Sequence, residues 1–506
     1  MKKIIFSILA VALLSSGLTS CSDDRLDATL EGSRDIEAKP IETATDLRAT
    51  VSGAYYRMVN VAYYGRDIIV YSEARGDNAY AAAGFSNRFQ NVSSFSLTPT
   101  HAFPADTWKK IYEVISSANL AIGSEIKSGN ETEIKQGKAE AYAIRALAHF
   151  DLLRIYGQQY WNDGGLNAMG VPYITKFGEL DTKNYKRLSV REVRANIYKD
   201  LDEALKLVDK NASNKKRFTE QAIYGVKSRV ALFFGAFDAA DYTVAMESAK
   251  AAMDLGGSII QRDSYVSSFR TEEPQSNAVF ELAQDNINNP GNNSLYSIYS
   301  YNGYGDVVGL GTNLQELFED VTDIRSSLEM QGYNNLTQNE KGNYKQIGTN
   351  KYVQLTKEEL DGDVPVDPAI RYNLEHYRNF GKYTGISANI KVMRYEELVF
   401  NFIEAAARTH TDEGVALDLL NKVAAERYKD KPVAKYATLK LDDVLIERRK
   451  ELVFEGFRFE DQMRNKENLG VTPQSTEGMK YGAPKLAFPI PRSEINASKI
   501  DQNEGY

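Results

Sequence analysis

The chain has 506 residues with 69 acidic and 61 basic side chains, a net charge of −8, 31 tyrosines, four histidines and a single cysteine. That balance argues against a nucleic-acid partner, whose phosphates demand clustered Lys and Arg. One thiol can neither close an internal disulfide nor supply a Cys-rich metal site, and none of the histidines sits at metal-ligand spacing.

The first twenty residues read as an export leader. Lys2 and Lys3 precede an apolar run from Ile4 to Leu14, which is followed by Ser15, Ser16 and Gly17. The run is shorter than the roughly 20 residues needed to span a bilayer, and its charged start and small-residue finish are those of a secretory signal. Leu18-Thr19-Ser20-Cys21 resembles the bacterial lipobox, in which the cysteine is acylated and becomes the mature N-terminus. The alternative is an ordinary signal with an incidental cysteine. Residues 21–41, polar and nearly free of aromatic side chains, form the expected tether.

From residue 42 the dominant pattern is helical. In AEAYAIRALAHFDLLRIYG, Ile144, Leu147, Ala148, Leu152 and Ile155 recur at helical spacing, with Gly157 as the stop. Ile197, Leu201, Leu205 and Val208 make the next stripe. Ala222, Val226, Val230 and Phe233 begin a helix hairpin that Tyr242, Ala245, Met246, Ala249 and Met253 complete. Helix pairs recurring near 34 residues resemble the tetratricopeptide repeat, and Glu396–Arg408 with Gly414–Arg427 predicts a further pair. Residues 257–310 and 330–390 are rich in Asn, Gly, Tyr and Ser and are expected to be loops with short strands.

No nucleophile elbow, phosphate loop or dinucleotide fingerprint occurs, and no metal or cofactor is expected. Paired carboxylates remain open, because such pairing is spatial. His149 and Trp108 lie on apolar helical stripes and read as core, whereas Trp161 lies in a polar loop. Two stretches carry candidate ligand contacts. In ARGDNAY, Arg75, Asp77, Asn78 and Tyr80 (with Phe85 nearby) combine planar polar groups with aromatic rings, as sugar or peptide recognition requires. The alternative there is a self-bonded turn. In SLYSIYSYNGYG, Tyr296, Tyr299, Tyr301 and Tyr304 fall within nine positions. Strand alternation would place Tyr299 and Tyr301 on one face, as ligand contacts or as a core strand.

Near the C-terminus, IERRKELVFEGFRFEDQMR places Glu447, Arg448, Glu451, Leu452, Glu455, Gly456, Arg458 and Asp461 in an ER-x-x-EL-x-x-EG-x-R-x-x-D pattern, and the chain closes on LAFPIPRSEINASKIDQNEGY. With the lipobox and GKAEAYAIRALAHFDLLRIYG before GVPYI, these motifs resemble the SusD/RagB family from Cys21 to Tyr506. Gln462–Met463 depart from the aliphatic residue usual after the Asp. The resemblance implies a mainly α, tetratricopeptide-like scaffold with inserted loops and short strands. It divides into 42–256 (helical), 257–390 (ligand-facing) and 391–506 (helical, with the signature). It also implies a non-catalytic, lipid-anchored outer-membrane protein facing the cell exterior, with Ser22, Asp23 and Asp24 as the export signal after the lipidated cysteine. Such a protein captures oligosaccharides, or oligopeptides in the RagB branch, and caps a SusC-like TonB-dependent barrel. A glycoside hydrolase or a pure tetratricopeptide scaffold are the remote alternatives. The signature residues themselves are expected to form structural ion pairs.

Overall fold

The computed structural model describes residues 40–83, 86–178, 185–300, 303–320, 322–327, 330, 344–348, 351–366, 379, 381–429 and 434–506. The leader, Cys21, all but the end of the tether, Phe85 and Tyr301 lie outside the described residues.

The helical half is a continuous array. Its members are α1 (Ala44–Met58), α2 (Asp67–Arg75), then after strand β1 (Ala79–Ala81) α3 (Ala102–Gly123), α4 (Glu131–Tyr156), α5 (Val190–Leu207), α6 (Glu220–Phe234) and α7 (Ala240–Asp254). Starts are set by side-chain caps: Thr43 and Asp46 bond reciprocally at α1, and Ser189 and Glu192 do so at α5. From α3 onward each helix packs on the next in sequence, and α1 packs on α3 and α4. The stripe read for α5 is buried at Val193, Ile197 and Leu201, with Val190 and Ala204 extending it. Gly157 does end α4, but in extended backbone (φ −75°, ψ 149°) instead of the left-handed cap. A Cβ there would lie 2.6 Å from the Leu153 carbonyl oxygen, so close approach is what requires glycine.

Beyond α7 come β2 (Ala278–Leu282), α8 (Leu295–Tyr299), β3 (Val307–Gly309), β4 (Ile390–Arg394), α9 (Tyr395–Thr409), α10 (Glu413–Arg427), α11 (Leu441–Leu452) and α12 (Arg458–Arg464). The predicted pair near 396–427 is α9 and α10. Although some 140 residues intervene, α9 packs directly on α7. A hydrophobic cluster continues across that seam through Ala245, Ala249, Phe402, Ile403, Ala416, Leu420 and Val444. Three short antiparallel pairs occur among the described residues: β1 with β3, β2 with β4, and Tyr344–Gly348 with Lys351–Gln354.

The segment expected to be a tyrosine strand is the helix α8. The Ser294 hydroxyl caps it by accepting from the Ser297 N–H, and that local cap outweighs the β preference of Tyr and Ile. The C-terminal FPIPR segment closes the molecule. The Phe488 N–H donates to the Ile155 carbonyl at 2.8 Å, and the Phe488 ring packs edge-on against Tyr71 and Tyr156. Among the described residues no helix is long and apolar enough to cross a membrane.

Candidate functional site

The antiparallel register Tyr80↔Val308 joins the stretch after α2 to the stretch after α8, more than 200 residues away in sequence. Both segments singled out for ligand contact therefore meet at one place. Their residues divide between interior and rim.

Arg75, Asp77 and Asn78 belong to the interior. The Arg75 guanidinium donates to the carbonyls of Tyr71 and Leu486, each at 3.0 Å, and lies over the rings of Phe459 and Phe488. Burial lowers its pKa to about 10. Asp77 accepts from Arg458 and pairs with Arg449 at 3.3 Å. The Asn78 side chain accepts from Arg449 at 2.8 Å. Tyr299 is also interior, stacked on Tyr383 with centroids 5.8 Å apart and edge-on to Phe454.

Tyr80, Tyr296 and Tyr304 are half-buried. The Arg88 guanidinium lies 3.8 Å from the centroid of Tyr304 and donates to Asn293 Oδ1 at 2.9 Å. Arg66 donates to that same oxygen at 3.4 Å. Asp306, fully buried, accepts from the Ser86 hydroxyl at 2.5 Å and from the Arg88 N–H at 3.4 Å. Asn87 (φ 59°) and Phe89 (φ 62°) both adopt left-handed backbone, which for an aromatic residue is uncommon and stores strain. The result is a rim of guanidinium, amide, hydroxyl and tyrosine groups with exposed Ser86, Asn87 and Gly303 beside it. Tyr296 lines a separate small cleft together with Tyr383, Gln284, Asn389 and Lys391.

Arg88, Asn293, Asp306 and Ser86 were not singled out by the sequence. Asn293 lies in a stretch that composition marks as ligand-facing, but FSNRF has no period or motif that isolates Arg88. The core readings hold. Trp108 is buried and donates to Glu494 at 3.2 Å. His149 stacks on Tyr173 and accepts from the Ile174 N–H at 3.0 Å, and burial drives its pKa down to about 3. Trp161 is half-buried in a short turn. Among the described residues no cluster of His, Cys, Asp or Glu could hold a metal ion.

The C-terminal signature supports the rim from behind. Glu451, fully buried, accepts from Arg427 Nε at 2.9 Å and from Arg394 Nη1 at 3.2 Å. Glu455 pairs with Arg394 and Lys382, Glu447 with Arg325, and Arg448 with Asp461. Burial disfavours the charge on Glu447. Arg325, Lys450 and the hydroxyls of Tyr428 and Tyr436 outweigh burial and hold the carboxyl at about 2. Gly456 (φ +86°) donates its N–H to Glu73 at 2.9 Å, and a Cβ there would meet the Ile69 Cα at 2.9 Å. Burial lifts Glu73 to about 7 despite that bond and the neighbouring Phe457 N–H.

Residues 30–232 match the SusD-like family described as starch-binding and associating with the outer membrane, and residues 284–506 match the SusD family proper. SusD-like protein P2 of Formosa agariphila is 29% identical over 140 residues. That match covers 26% of this chain and only 28% of the relative's length. The crystal structure of a SusD superfamily protein from Bacteroides thetaiotaomicron superposes with a TM-score of 0.76 at 25% identity, covering 91% of this chain and 99% of that one. A laminarin-binding SusD-like protein shares the fold, with a TM-score of 0.67 at 19% identity over 92% of this chain and 100% of that one.

Proposed function

This chain belongs to the SusD/RagB family, and on that premise we propose that it is a cell-surface lipoprotein that binds oligosaccharide at the Arg88–Asn293–Tyr304 rim. In this reading residues 1–20 are removed, Cys21 carries the lipid and residues 22–41 tether the body to the outer membrane. The protein performs no catalysis. It concentrates ligand and passes it to a SusC-like TonB-dependent barrel, over which it acts as a lid.

The observation that carries the reading is the β1–β3 pairing, which brings together the Tyr304 ring, the Arg88 guanidinium over one of its faces and the Asn293 amide that Arg88 bonds. A sugar ring has the matching chemistry, with an apolar face that packs on Tyr304 and hydroxyls that bond to amide and guanidinium groups. If a sugar face covers roughly 100 Å² of ring, apolar burial contributes on the order of 2.5 kcal/mol. Calorimetry against a panel of neutral oligosaccharides, β-glucan fragments included, tests this. Replacing Arg88 and Tyr304 together by alanine should weaken binding about thirtyfold or more at unchanged melting temperature. A protein that binds none of the panel, or a variant that binds as tightly as the parent, would sink the reading.

An oligopeptide ligand is the second reading. It is favoured by the absence of tryptophan at the rim, since Trp108 is core and Trp161 lies in a turn elsewhere. Peptides found by mass spectrometry in the natively purified complex with its barrel would select it.

A further inference from the structure

The loop at 285–293, whose far end supplies Asn293 to the rim, also forms one wall of a broad groove against α1. Along α1, Arg48, Ser52 and Tyr56 follow at four-residue spacing and line this groove together. Tyr56 is 70% exposed, far more than a ring of that size usually is on a helix whose other face is core.

The charge on the walls is one-sided in a chain that is net acidic. Arg48, Arg57, Lys110, Lys216 and Arg217 line the groove, against Asp285 as the only acid among the described lining residues. Lys110, Lys216 and Arg217 are balanced by Glu113, Glu273 and Glu140. Arg48 and Arg57 have no carboxylate partner among the described residues, and the Arg57 guanidinium donates to the Gly53 carbonyl at 3.1 Å. Asp285 is turned into its own loop, accepting from the N–H groups of Ile287 at 2.7 Å and Asn288 at 2.6 Å. Two guanidinium groups without a carboxylate partner among the described residues therefore line the same concave surface as an exposed tyrosine ring and several asparagine amides.

We propose that this groove binds the carboxylates of an acidic, uronate-type oligosaccharide. A guanidinium fork matches a carboxylate in shape and charge, and the exposed Tyr56 ring in the same groove offers a surface for a sugar face. The loop at 285–293 is common to both, lining the groove at Asp285 to Pro290 and supplying Asn293 to the rim. The inference rests on the reading of this protein as a saccharide binder and adds the ligand's charge.

The test uses the purified protein with three probes: a linear oligogalacturonate, its fully methyl-esterified uncharged counterpart, and poly-glutamate of similar length. The oligogalacturonate should bind more tightly than the ester, and its affinity should fall as salt rises. Arg48→Ala with Arg57→Ala should weaken it about tenfold while leaving the melting temperature and the binding of neutral glycan unchanged. Tyr56→Ala should weaken the oligogalacturonate without changing its salt dependence. Equal affinity for acid and ester, or an arginine variant that binds the acid as tightly as the parent, overturns the inference. So does poly-glutamate binding through the same arginines as tightly as the glycan, because charge alone would then suffice. Neutral-glycan binding that disappears only in the Arg88 and Tyr304 variant separates the rim from the groove. A protein that binds neutral glycan and no uronate keeps the reading and loses the inference; one that binds uronate alone, through Arg48 and Arg57, keeps the groove and loses the rim.

Discussion

Tyr299 offers a sharp separation of core from ligand surface, because its ring and its hydroxyl make opposite contributions. It is only 1% exposed, stacks on Tyr383 and meets Phe454 edge-on, yet its hydroxyl finds no hydrogen-bond partner among the described residues. Truncating a buried aromatic ring to alanine costs about 4 kcal/mol through lost burial and the cavity left behind. Removing the unbonded hydroxyl returns about 1 kcal/mol, since burying such a group without a partner is unfavourable. Tyr299→Ala should therefore destabilise the protein by about 3 kcal/mol. Tyr299→Phe should be neutral or stabilising by up to about 1 kcal/mol. Urea denaturation checks both, with the midpoint moving and the slope unchanged. Ligand affinity should be the same for Tyr299→Phe and the parent. An alanine variant as stable as the parent, or a phenylalanine variant that loses more than about 1 kcal/mol, would refute the placement of this ring in a dry core.

Two further outcomes follow from the buried charges. Glu451→Gln should cost about 3–5 kcal/mol in the same assay, because it leaves the buried Arg427 and Arg394 with one carboxylate fewer; a loss below about 1 kcal/mol would mean the network relaxes around the change. The pH profile separates two groups of acids. Glu73 has its folded-state pKa raised from 4.5 to about 7, so its contribution is complete below 4.5 and fades as pH rises through 7. Asp67 acts the same way from 3.8 up to about 6. Glu447, depressed from 4.5 to about 2, contributes above 4.5 and is lost as pH falls through 2. Thermal melts should place maximal stability near pH 4.5. Glu73→Gln should flatten the decline between 4.5 and 7, worth roughly 3 kcal/mol, and parallel curves for variant and parent in that window would contradict the assignment.

The helices were legible because their apolar spacing is long and unbroken: α4 to α7 and the α9–α10 pair follow the stripes read from residues 144–253 and 396–427. The ion-pair role expected of the signature was legible too, since Arg448, Glu455 and Arg458 find carboxylate or cationic partners within the fold. The rim was half legible. Tyr80, Tyr296 and Tyr304 stand at or near the surface, while Arg75, Asp77, Asn78 and Tyr299 face inward. Composition alone cannot make that division. A dense run of Arg, Asp and Asn has the same sequence whether it meets a ligand or the far end of its own chain. For Asp77 and Asn78 the deciding partners, Arg458 and Arg449, lie more than 370 residues away. Arg88 escaped notice for the same reason, because its meaning comes from Tyr304 and Asn293 across the β1–β3 pair.

That geometry gives the signature a positional part in binding although none of its residues lies at the rim. Gly456 holds Glu73 at the end of α2, Arg458 grips Asp77, and Arg449 grips Asn78, which immediately precedes β1. The Asn78 carbonyl in turn accepts from the Leu310 N–H just after β3. The two strands that bring Arg88 to Tyr304 are thus fastened at one end by the C-terminal charge network. The buried pairs between them, individually of little net value to stability, fix a register that places polar and aromatic groups from distant parts of the chain within reach of one ligand.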